Sequence, residues 1–309
     1  MQRIATAPET SMVIDPESIA EKMRLEHLAQ LLAKSAGGVL PEQLDLSTVS
    51  HTLDLGCGPG SWTLDVARLL EANSVGVDRS PSMVEMARMN AKMLGIEDLA
   101  SFEVMNITQL LAFADASFDL VHARFLVEAL LTPQWSALLL ECVRVLKPGG
   151  YLLLTEAEWP STSSSAAEHL ARMVMDALWK AGRGFSIDGH ALGVTHALPA
   201  LLRNCGVHDI QVEAHLLDFS CGQPLYHALT RHLWTTYVLM QPFLTEMGYG
   251  SQQEVYTLCE QFNADIATDE TFQGGMTVLR AWGQKGDASE PEEDRYCLPP
   301  IFPSLQLGM

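Results

Sequence analysis

From His51 onward, short apolar runs alternate with stretches in which apolar residues recur every three or four positions. An unbroken apolar run between turn residues suits a strand buried on both faces, and the 3.6-residue period suits a helix covering it. The runs predict strands at 51–55, 74–78 (SVGVD), 101–105 (SFEVM), 118–123 (FDLVHA) and 151–156 (YLLLTE), with helices near 61–71, 81–94 and 133–146. The third helix is the best defined. Trp135, Leu138, Leu139, Cys142, Val143 and Leu146 share a face, and KPGG ends the helix and turns the chain into the next strand. This rhythm predicts a doubly wound α/β sheet of parallel strands, Rossmann-like in type.

Upstream, DPESIAEKMRLEHLAQLLAKSAGG reads as a helix with Pro16 in its first turn and an apolar face of Ile19, Met23, Leu25, Leu28, Leu31 and Leu32, stopped by Gly37 and Gly38. Residues 1–48 are thus expected to form a helical lid ahead of a nucleotide-binding core at 49–160. After a Ser-rich break (STSSS) come a helix at about 165–182, a loop (GRGFSIDGHALGVTH), a helix to about Cys205, a strand (HDIQVEAHLLDFS), helices near 224–247 and 251–267, and a last strand (MTVLRAWGQK). Residues 161–285 therefore read as substrate-cap helices plus two strands that complete the sheet, the inserted helices lying over its carboxyl edge. From 286 to 309 the chain is acidic and then Pro-rich, without a period. It is expected to be a flexible tail, with Tyr296, Leu298, Ile301 and Phe302 available for docking.

Composition narrows the partners. Of the 309 residues, 48% are hydrophobic and 18% charged, enough to bury a large core, and the length suits one α/β core with an insertion. The formal charge of −19, from 19 Lys and Arg against 38 Asp and Glu, disfavours nucleic acid and anionic membranes, as no basic run is present. Cys57, Cys142, Cys205, Cys221, Cys259 and Cys297 are scattered without C-x-x-C pairs, which suits reduced thiols rather than disulfides or zinc. The expectation is a cytoplasmic protein, monomer or homodimer, with no secretion signal, membrane span or metal.

The chemistry gathers at LDLGCGPGS. Glycines at 56, 58 and 60 behind a buried strand let the backbone turn tightly and approach a ligand. Ser61 stands where a dinucleotide turn has its third glycine, and no lysine supplies a P-loop. Asp54 would repel a pyrophosphate and suits a cation. Asp78, ending the second strand, suits two ribose hydroxyls, and Asn106 with Ile107 offers a polar edge and an apolar face to adenine. A ligand with an adenosine half and a cationic amino-acid half fits all three.

With these residues in view, LDLGCGPG, VGVDRSPSMVEMAR, FDLVHARFLVEAL and VLKPGGYLLLTE resemble successive motifs of the class I S-adenosylmethionine-dependent methyltransferases, in order and spacing, across roughly residues 50–157. The resemblance implies a seven-stranded sheet with its last strand antiparallel. It implies that Asp54, Gly56 and Gly58, with Cys57 between them, line the methionine part. It also implies that Asp78 holds the ribose, Arg79 and Met83 border the adenine, Asn106 and Ile107 complete the purine pocket, and His122 and the residues after it face the sulfonium and the acceptor. Asn106 stands where an aspartate is commoner, which bears on the strength of the adenine contact.

Methyl transfer needs the nucleophile in line with the sulfonium, and a base only when the acceptor must lose a proton. His122, at the carboxyl end of the fourth strand, is the first candidate base, then Glu156 and Glu158, then His190 and His196. Each also reads as a structural or solvated side chain. Cys57 reads as a small filler, and the Met-rich helix SPSMVEMARMNAKM as core packing. Arg124 reads either as a clamp on a substrate carboxylate or as the partner of Glu128 one turn on. Among the aromatics after residue 160, Phe185, Trp234 and Tyr237 are candidate substrate contacts in an enclosed apolar cap, or else part of an ordinary mini-core or dimer interface. The expected function is methylation of an O, N or C atom of a small, largely apolar molecule, a specialised metabolite or quinone-like compound. The alternatives are an NAD-dependent oxidoreductase and a non-catalytic protein that keeps the cofactor fold.

Overall fold

In the computed structural model, which describes residues 13–286, the apolar runs become the centre of one mixed sheet. The tail expected from 286 onward, apart from Gly286, lies outside the described residues, as do residues 1–12. The strands are β1 (His51–Leu55), β2 (Asn73–Asp78), β3 (Ala100–Val104), β4 (Phe118–Arg124), β5 (Leu146–Ala157), β6 (Ser161–Thr162), β7 (Val207–Asp218) and β8 (Gly274–Lys285). Their order is β3-β2-β1-β4-β5-β8, with β7 on the far side of β8. β1 to β5 pair in parallel, and β8 runs antiparallel to both β5 and β7. The expected seven strands with the last antiparallel are therefore present. The two-residue β6, paired to the start of β8, is an eighth, in what the sequence shows only as a Ser-rich break.

Alternation along the strands sends successive side chains to opposite faces. Leu120 of β4 packs with Trp62, Val66, Leu153 and Trp282, whereas Val121 packs with Trp135, Leu138 and Leu152. Each such fully buried side chain stabilises the fold by about 1.5–3 kcal/mol. Helices α2 (Ser61–Leu70), α3 (Pro81–Leu94) and α4 (Gln134–Val145) join the parallel strands. KPGG behaves differently from expectation, because β5 already begins at Leu146 and the motif is looped out inside the ladder. Phe118 pairs with Leu146 but Leu120 pairs with Tyr151, and Gly149 supplies the positive φ that the bulge needs.

Helix α1 (Ile19–Ser35) begins after Pro16 and presents a face other than the expected one. Leu28 and Leu32 are buried, but Ile19 and Met23 are exposed, and Glu21 is buried in their place. Of the later helices, α5 (Ser165–Lys180), α7 (Tyr226–Met247) and α8 (Gln252–Thr268) pack on one another, and α1 packs on α7. Helix α6 (Val194–Asn204) lies instead against β5, β7, β8 and α4, so it covers the sheet rather than the ligand side.

Candidate active site

One cavity opens where β1, β2 and β4 end, roofed by α1 and walled by α7. Gly56 and Gly58 line it, both with positive φ, and Cβ atoms there would point toward Leu126 and Leu25 of its wall. Gly60 serves packing instead, since a Cβ would lie 2.8 Å from Ala87 and Phe102. Asp78 accepts the Gly58 N–H at 3.0 Å through one oxygen and the Ser80 N–H at 2.8 Å through the other, which leaves each oxygen a lone pair for a ligand. Burial raises its pKa, against the pull of those N–H groups and of Arg79. Ser80 caps α3 through the Met83 N–H and donates to Glu17, tying the chain ahead of α1 to the tip of β2.

Arg79, Met83, Asn106 and Ile107 line the same end of the cavity. The Asn106 side-chain oxygen is taken by the Thr108 N–H and hydroxyl, at 3.0 and 2.9 Å, so Asn106 faces a ligand as a donor. Cys57 also lines the cavity. Its thiol is pushed far up by burial and by the Asp54 and Asp78 carboxylates, and it stays protonated.

Other expectations are corrected by geometry. Asp54 and His122 lie in register on neighbouring strands, short of the strand ends, and point under α2 rather than into the cavity. His122 Nδ1 lies 2.9 Å from Asp54, Thr63 donates to the other Asp54 oxygen, and the imidazole stacks on Trp62 with centroids 3.9 Å apart. Burial lowers the His122 pKa more than Asp54 raises it, and the ring is neutral. Glu156 accepts the Leu126 N–H and holds the turn after β4. Burial pushes its carboxyl up to about 8. Glu158 lines the cavity but is occupied in capping α6, accepting from Gly193 and Thr195. His190 and His196 are exposed and away from the cavity.

The aromatic candidates also stand outside it. Phe185 packs edge-on against Trp135, Tyr237 is buried between Trp159 and the Ala167 carbonyl, and Trp234 packs into the main core. Arg124 does line the cavity and forms no ion pair with Glu128.

What the sequence does not announce is a polar wall. Arg24 donates from Nε and Nη2 to the two Glu21 carboxylate oxygens at 2.6 and 2.7 Å, and its Nη1 also reaches His232 and Thr236 of α7, each at 3.3 Å. Burial opposes the Arg24 charge, but Glu21 outweighs it and raises the pKa. Because Arg24 only donates, His232 accepts through Nε2 and carries its proton on Nδ1, which has no partner among the described residues. Burial, then Arg24 and His27, hold His232 neutral. Glu128, in the short 3-10 turn Leu126–Glu128, lines the cavity with no hydrogen bond to its carboxylate among the described residues, and burial raises its pKa against the nearby charge of Arg24. The one sequence signal for this wall is the spacing of Glu21, Arg24, Leu25 and Leu28, which puts a charged pair on the stripe of Leu28. Among the described residues, no group of three or more His, Cys, Asp or Glu side chains is arranged to hold a metal, and no helix is long and apolar enough to cross a membrane.

Residues 53–154 match a family described as a methyltransferase domain. The chain is 35% identical over 118 residues to Methyltransferase GfsG of Streptomyces halstedii, covering 38% of this chain and 41% of that one. It is 35% identical over 120 residues to the demethylmenaquinone methyltransferase of Lactiplantibacillus plantarum, covering 38% and 49%. It thus spans about half or less of the length of these relatives. Among solved structures, the YcgJ protein of Bacillus subtilis superposes with a TM-score of 0.48 at 18% identity, over 77% of this chain and 93% of that one.

Proposed function

We propose, from the premise that residues 53–154 are a class I, S-adenosylmethionine-dependent methyltransferase domain, that this chain methylates an oxygen, nitrogen or carbon atom of a small, largely apolar acceptor, quinone-like or a specialised metabolite. The observation that carries the reading is the continuity of one cavity. It runs from the glycine turn and Asp78 to a mostly apolar wall that includes Leu25, Leu28, Leu130, Leu192, Leu233 and Met276. Demethylmenaquinone, named for one relative's reaction, is an acceptor type of that polarity.

When bound, the cofactor supplies a methyl group already activated on a sulfonium. The chain's own task is to bind, orient and keep water out. In this reading the free lone pairs of Asp78 take the ribose hydroxyls, the Asn106 amide donates to the purine edge, and the bare backbone at Gly56 and Gly58 allows close approach. Glu128, rather than His122, receives the acceptor's proton, because it lines the cavity with an uncommitted carboxylate. Helix α1 closes over the reactants.

The test is calorimetric titration with S-adenosylmethionine, S-adenosylhomocysteine and NAD+, followed by a labelled-methyl screen of phenols, quinols and related small acceptors. Micromolar binding of the first two with label transfer to one acceptor class supports the reading. Binding of NAD+ alone, or of none, overturns it.

A further inference from the structure

Arg124 ends β4 on the partition between the main cavity and a smaller one that holds His122, and it lines both. Among the described residues its partly buried guanidinium makes neither a hydrogen bond nor an ion pair. The acids whose charge reaches it are Asp54 and Asp65, neither at ion-pair distance, and Asp54 is already committed to Thr63 and His122. Burial lowers the Arg124 pKa, the sign of a desolvated charge whose nearby acids do not fully compensate it. A guanidinium held so stands ready for an anion, and its planar fork fits a carboxylate.

The order of the strands says which carboxylate. Asp78 at the tip of β2 and Asn106 just beyond β3 mark the adenosine side, and from there the sheet runs β3-β2-β1-β4. With neighbouring strands about 4.8 Å apart, β4 lies roughly 14 Å from β3. An extended S-adenosylmethionine with its adenine at β3 and its sulfur near the glycine turn of β1 therefore brings its amino-acid end to β4. That end carries the cofactor's one negative charge. The other arginines of the wall are less suited. Arg24 is taken by Glu21, Arg183 donates to the Glu128 carbonyl, and Arg79 follows Asp78 on the adenosine side.

Resting on the cofactor reading above, we propose that Arg124 binds the α-carboxylate of the cofactor's amino-acid portion, and so is a cofactor residue rather than a clamp on the acceptor. The experiment compares two probes on the full chain by calorimetry, S-adenosylhomocysteine and 5′-methylthioadenosine, which lacks the amino-acid portion. Arg124→Met is expected to weaken S-adenosylhomocysteine about ten- to a hundredfold and leave 5′-methylthioadenosine within about twofold, with Arg124→Lys in between. Equal loss for both probes would mean Arg124 only supports the fold, and no loss for either would return it to the acceptor; both overturn the proposal. Failure of the unaltered chain to bind S-adenosylhomocysteine at all would overturn the cofactor reading itself, and this inference with it.

Discussion

Asp78 and Glu128 are both carboxylates in one cavity with burial-raised pKa values, yet their surroundings give them different work. Asp78 is held by two backbone N–H groups, a fixed acceptor pair. Its replacement by alanine is expected to weaken S-adenosylhomocysteine by about 1–3 kcal/mol in a titration, and unchanged affinity would move the ribose elsewhere. Glu128 has no such anchor, and a base must be ionised to act. The methylation rate should rise with pH through a value above the ordinary carboxylate range, and Glu128→Gln should lower kcat about 10²–10⁴-fold and flatten that limb while sparing cofactor affinity. Glu156 reports through stability instead. Its folded pKa of about 8 lies above the unfolded value of 4.5, so its contribution is fully present below about pH 4.5 and lost as pH rises through 8. Glu156→Gln keeps the acceptor for the Leu126 N–H without the charge. In melting experiments it should be more stable than the parent at pH 9, by on the order of 1–3 kcal/mol, and no more stable at pH 5.

At the scale of elements, α1 combines lid and wall, and a buried ion pair holds it. Arg24→Met strands Glu21, whose side chain is 8% exposed, and is expected to cost about 3–5 kcal/mol of docking, read as faster proteolysis within 19–35. Glu21→Gln added to it should recover much of that loss, because no uncompensated charge then remains. This pair also explains where the sequence is legible and where it is not. Strands buried on both faces write unbroken apolar runs, so β1, β2 and β4 are read almost to their ends, whereas β5 is read only from Tyr151 and its first five residues, from Leu146, are missed. The face of α1 is misread because an apolar pattern does not register Glu21 and Arg24 pointing inward. The two residues of β6 are too few to make a pattern. The cofactor half of the site lies in consecutive residues at strand tips and is visible as motifs. The proposed acceptor half joins Arg24, Glu128 and His232, which line the cavity only because folding brings them together. His122 misleads because nearness to a strand end says nothing of which face its side chain takes, and its register partner Asp54 draws it under α2.

For the whole molecule the decisive feature is β8, last of the described strands yet hydrogen-bonded on both sides, to β5 and to β7. The helices α7 and α8 are inserted just before it, and α1 packs on both α7 and α2. The cap cannot unravel without pulling on the strand that closes the sheet, and the lid touches cap and core alike. Sheet, cap and lid are therefore expected to unfold as one cooperative unit. S-adenosylhomocysteine at a hundred times its Kd stabilises such a unit by about 2.7 kcal/mol. At about 2–4 °C per kcal/mol for a domain somewhat smaller than this one, the single melting transition should move up by roughly 5–10 °C. Hydrogen exchange should then show protection rising together in α1, the glycine turn, the turn at 126–128 and the cavity side of α7, since the ligand bridges what the fold only brings near. Two transitions, with only one moved by the ligand, would show instead that the cap folds apart from the sheet, and that closing the cavity is a docking event rather than a property of the native core.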